Sequence, residues 1–137
     1  MKNYFILWEQ ISLSEVPDID NVHFFAIEHE GNIKYIGLAY KLSLEQELQE
    51  TIKLFRLDSK EIKIWTGLII RNIHNMVNQH IAEEILCLLV FNLKPYLNVI
   101  CKRSYYGRDG LEIFNRGTGL FPSYLKADVK VMRMTGT

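Results

Sequence analysis

The stretch "VHFFAIEHEGNIKYIGLAY", Val22 to Tyr40, decides the fold. Two aromatic and β-branched runs, "VHFFAIEHE" and "IKYIGLAY", flank Gly31-Asn32. Runs of that kind joined by a short Gly-containing turn predict a β-hairpin. Downstream, Ser43 offers an N-cap, and Gln46 follows at the spacing of a capping box. In "LEQELQETIKLFRL", Leu44 to Leu57, the residues Leu44, Leu48, Ile52 and Phe55 recur at helical spacing. One face of that helix is expected to pack on the sheet, and Asp58-Ser59 ends it.

"EIKIWTGLII", Glu61 to Ile70, predicts a third strand. Ile62 and Ile64 point one way, with Thr66 by the same alternation, and Lys63 and Trp65 the other. A longer helix follows from about Asn75 to Leu93, and its second half is apolar nearly all round, so other elements must enclose it. Pro95 forces its end. On the near side of the hairpin, "KNYFILWEQISL" alternates poorly and reads as an edge strand or a short helix. The tail, Val99 to Met132, reads as two or three short strands with turns at Gly107, Gly110, Gly117 and Gly119. Hairpins with helices that do not alternate regularly with strands favour α+β. The expected fold is a single domain over 1–137, a small three-stranded antiparallel sheet flanked by helices. Its core is about 22–98, with short C-terminal strands in 99–137.

Composition narrows the function classes. The chain has 137 residues, 48% hydrophobic and 23% charged, enough for one core. No apolar run reaches the roughly 18 residues that span a bilayer. "YFILW" is too short for a signal peptide and Glu9 follows it directly. The expectation is a cytoplasmic protein with no membrane partner. Cys87 and Cys101 read as buried free thiols, too few for a zinc ribbon. The net charge is zero but unevenly spread. Residues 1–56 hold five Lys/Arg against nine Asp/Glu, and residues 99–137 hold seven against three. A basic C-terminal segment suits phosphate or a solvated surface equally well. No Gly-rich phosphate loop, G-x-S-x-G or H-E-x-x-H occurs.

One residue does not fit its surroundings. On a helix, Ile73, Val77, Ile81, Leu88 and Phe91 all fall within about 60° of Glu84. Burying an unpaired carboxylate costs several kcal/mol, so something must compensate. Two solutions stand: a salt bridge to a buried Arg, with Arg71 as partner, or a metal ion in a cleft. His80, one turn earlier, either joins that metal or stays a surface histidine.

The ordered set of features resembles the GIY-YIG nuclease superfamily over Val22 to Asn98. "VHFFAIEHEGNIKYIG" is similar to the family's opening hairpin, with Tyr35-Ile36-Gly37 as its second motif. "AEEILCLLVFNLKPYLN" is similar to the helix carrying a metal-binding Glu and ending in Pro and Asn. "LEIFNRGTGL" is similar to a strand that closes several prokaryotic members. The resemblance implies hydrolysis of a DNA phosphodiester with Mg²⁺ or Mn²⁺. It assigns Glu84 to the metal, with Glu83 as the substitute, and Tyr35 and Asn98 to the hydrogen-bond shell. Arg71 or Lys41 would take the phosphate, and Arg116 would touch nucleic acid. Gly37 would allow close packing beside the strand.

Two positions depart from the family pattern. The first-motif Tyr is Phe24, which has no hydroxyl to orient water. The helix Arg is Glu45, which reverses a charge expected to face phosphate. Removing one such donor costs about 10²–10³ in rate. Tyr40, Tyr105 and Tyr106 are the available replacements for the hydroxyl. Two functions follow: a metal-dependent endonuclease with an altered site, or a catalytically inactive module binding DNA, a protein partner or a second copy of itself.

Overall fold

The computed structural model describes residues 3–17, 23–40, 42–70 and 77–135. Lys41 and Arg71 lie outside the described residues, so neither is placed in a site.

The hairpin forms as expected. Strand β2, His23–His29, runs antiparallel to β3, Asn32–Ala39, and Gly31 turns between them with a positive φ of 80°. Helix α1, Leu44–Leu54, starts with the reciprocal Ser43/Gln46 capping box. Strand β4, Lys63–Ile70, pairs antiparallel with β2, and α2 spans Gln79–Leu93 behind an Asn78 cap. Ile64 and Thr66 point to one face and Trp65 to the other, in line with the alternation read from sequence.

The three-stranded sheet is a correction. Strand β1, Asn3–Ile11, is an interior strand, antiparallel to β4 and parallel to β5, Glu112–Arg116. Strand β6, Tyr124–Lys126, follows antiparallel to β5. The result is one six-stranded mixed sheet, β3-β2-β4-β1-β5-β6. The antiparallel trio is half of it. The physical reason lies in β1. Tyr4, Ile6 and Trp8 are buried on one face, while Phe5 and Leu7 stand on the other. Both faces are apolar, so the period-2 signal vanishes in the sequence. The tail also ends in a helix, α3, Val129–Thr135, where strand was expected.

The helices lie on opposite faces. Tyr4, Ile6, Trp8, Phe24, Ala26 and Ile36 pack with Ile85 and Leu88 of α2 in the main core. Phe25, Ala39 and Ile64 pack with Leu44 and Leu48 of α1 on the other side. Among the described residues, no helix is long and apolar enough to cross a membrane.

The two cysteines are a second correction: Cys87 of α2 is disulfide-bonded to Cys101, with Cα atoms 5.2 Å apart. Lys94, in a left-handed conformation, caps α2, and the chain then folds back along that helix. This brings two residues 14 apart within bridging distance. No local pattern announces such a pairing.

Candidate functional site

Strand β3 is an edge of the sheet. Along it runs a groove of about 710 Å³, walled by α1, by α2 and by the 97–101 segment. Tyr35, Glu84 and Asn98 all line it. These are three of the residues singled out from the sequence, and each already has a structural task.

Glu84 is buried, 8% exposed at the side chain, as its place in the apolar stripe required. Its compensation is a cation. Arg108 Nε donates to Glu84 Oε2 at 2.7 Å, and His80 Nε2 lies 3.1 Å from Oε1. The carboxylate also acts on its neighbours. Its hydrogen bond is the main cause holding the Arg108 guanidinium above its ordinary pKa. Burial first, then the Glu84 charge, push the Tyr105 phenol upward. The Arg that sequence reasoning sought was Arg71. Arg108 fills the role from a loop 24 residues beyond Glu84, beyond the reach of any helical-spacing argument.

Asn98 spends both ends of its amide on the strand edge. Its Oδ1 accepts from the Ile36 N–H at 2.9 Å, and its Nδ2 donates to the Ile36 carbonyl at 2.9 Å. Leu97 N–H donates to the Lys34 carbonyl at 2.9 Å. The segment after Pro95 thus caps the N-terminal part of the β3 edge, as a seventh strand would.

Tyr35 points to the α1 face, its ring 5.9 Å from Phe25 and 5.3 Å from Phe55. Burial, and then the charge of Glu47, push its phenol above the ordinary tyrosine value. That direction disfavours a phenolate and any role as a base. Gly37, next on the strand but one, is small because the Phe25 ring occupies its side-chain position; an added Cβ would lie 2.3 Å from that ring. What packs there is a side chain of the neighbouring strand, not the backbone of a strand-to-helix crossing.

The departures from the family pattern resolve differently. Phe24 is fully buried in the main core, outside the groove. Glu45 is exposed, accepts from Gln49 Nε2, and does not line the groove. Glu47, two residues on and nearly opposite Glu45 on α1, does line it. Of the replacement tyrosines, Tyr40 and Tyr106 line the groove, whereas the Tyr105 hydroxyl donates to the Arg108 carbonyl. Arg116 is excluded from this site, since it ends β5 and three strands stand between β5 and β3. Glu83 lines the groove too, but it is exposed on α2 and accepts from Gln79. Among the described residues no group of three or more His, Cys, Asp or Glu is arranged to hold a metal ion.

Sequence reasoning missed three contributors: Arg108, Glu47 and the open β3 edge. Only Glu47 left a signal, as a second acid in the first turn of α1. No protein-family model matches this chain, and neither a curated protein nor a solved structure does.

Proposed function

We propose that the chain is a non-catalytic binding module that receives a protein partner in the groove beside β3. One observation carries this reading. The buried carboxylate that a metal-dependent nuclease would need is held in a 2.7 Å charge-assisted hydrogen bond with Arg108. A metal ion at Glu84 would compete with a guanidinium already in place. Tyr105 reinforces the reading, because its hydroxyl is spent on the Arg108 carbonyl and its phenol is shifted away from ionisation. DNA is the weaker occupant. Arg108 neutralises Glu84, but Glu47 and Glu83 also line the groove, and no Lys or Arg does among the described residues. Phosphate would meet net negative charge there.

The endonuclease reading has its own specific support, the convergence of Tyr35, Glu84 and Asn98 on one groove. Supercoiled plasmid incubated with the protein and Mg²⁺ or Mn²⁺ separates the two. The binding module leaves the plasmid intact and gives the same result for wild type and Glu84→Ala. Metal-dependent nicking that disappears in Glu84→Ala would overturn the proposal.

A further inference from the structure

The groove has a floor of backbone as well as walls of side chains. Ile36 directs both its N–H and its C=O outward, where Asn98 takes them. In an antiparallel strand, alternate residues share that direction. Lys34, two residues earlier, obeys the rule and its carbonyl is taken by Leu97. Leu38, two residues later, pairs with Phe24 of β2 and so also presents its N–H and C=O to the open side. Among the described residues neither group has a partner. Leu38 lines the groove. Among the described residues the chain therefore caps half of the β3 edge with its own segment, and none of them covers the other half between the two helices.

We infer that this half-open edge is a strand-addition site for an extended, basic segment of a partner protein. This rests on the reading of the groove as a protein-binding site and names the ligand's conformation and charge. The bound segment continues where Asn98 stops and pairs with the backbone of Leu38. Alternate side chains of an extended peptide then point to opposite walls. One set meets Leu86, Val90 and Ile100, which give the α2 side its apolar character. The other set meets Tyr35 and Glu47 on the α1 side. Acidic side chains on both helices, Glu47 and Glu83, select Lys or Arg in the ligand. Val99 and Ile100, 87% and 74% exposed, sit at the rim beside the disulfide-anchored Cys101, where a ligand would cover them. An uncovered strand edge is otherwise a liability for association, so its restriction to about one residue pair limits promiscuous pairing.

The test uses the full chain and a display library of random ten-residue peptides. The tightest peptide selected is synthesised and titrated into labelled protein by NMR. We expect a Lys- or Arg-containing sequence that shifts the Leu38 and Gly37 amides. N-methylation at one parity of peptide positions should weaken binding about tenfold per lost hydrogen bond, while the other parity is tolerated. Glu47→Lys and Glu83→Lys should each weaken it severalfold. Leu38→Pro removes the donor on an edge position where proline is compatible with a sheet. Should that variant fail to fold, the methylated peptides still decide the matter. A peptide that shifts groove residues yet tolerates methylation at every position would overturn strand addition and leave the groove reading intact. Selection that yields no peptide perturbing the groove would overturn both.

Discussion

Both faces of the sheet carry apolar side chains, and they are treated very differently. On the α2 face, Trp8 lies 4.0 Å from the Phe121 ring and donates to Asn115 Oδ1 at 2.9 Å. Asn115 in turn donates to the Pro122 carbonyl. Gly117, with φ of 101°, brings the chain against the Trp8 carbonyl, where an added Cβ would sit 2.1 Å away. On the other face α1 packs on Phe25, Ala39 and Ile64, toward the β3 end of the sheet. Beyond it, Phe5 stacks on Phe114 and Phe114 contacts Tyr124, while Leu68 and Ile70 stand exposed beside them. Apolar content alone does not decide what becomes core. Closure does, and the C-terminal segment closes only one face.

The largest expected effect tests that closure. Trp8→Ala should lower stability by about 3–5 kcal/mol, since it empties a fully buried site and strands the Asn115 amide. Urea unfolding measures it, and a loss below about 1 kcal/mol would make the two faces equivalent.

Next comes the ion pair on the α2 side. Arg108→Ala leaves Glu84 buried without its cation. A loss of about 2–4 kcal/mol is expected, below the range for fully buried pairs because Arg108 is 37% exposed. Adding Glu84→Gln to that variant should recover much of the loss, because the stranded charge is then gone.

On the open face, Leu68→Thr should change stability by less than about 1 kcal/mol, as an exposed strand position occupied by a β-branched residue. A larger loss would mean that this face is covered in solution.

The smallest effect concerns pH. Burial, then the charge of Glu50, raise the Glu47 carboxyl above its ordinary value. The folded state therefore holds that proton more tightly than the unfolded chain. Its stabilising contribution is present below the unfolded value and is lost as pH rises through the folded one. Relative to Glu47→Gln, the wild type should lose stability as pH climbs through the carboxylate range. The opposite slope would place Glu47 beside a cation.

Local chemistry was legible in the sequence. The hairpin, the Ser43/Gln46 box, the alternation in β4 and the burial of Glu84 all depend on neighbours within a few positions. What was illegible depends on distance along the chain. The β1–β5 pairing joins residues more than a hundred apart. The Glu84 partner comes from a loop, and the Cys87–Cys101 bridge needs a chain reversal after Pro95. The family-like pattern of Tyr35, Glu84 and Asn98 placed three residues on one groove but could not foresee that packing, an arginine and a strand edge already occupy them.

The most direct measurement of the central claim, that Glu84 is a structural carboxylate, is paramagnetic broadening by Mn²⁺ in NMR spectra of the labelled protein. If Arg108 holds the carboxylate, amides around Glu84 broaden no more than those of other acidic surface residues, and Glu84→Gln leaves the pattern unchanged. Selective broadening centred on Glu84, Tyr35 and Asn98 that disappears in Glu84→Gln would contradict the account and restore a metal centre to the groove.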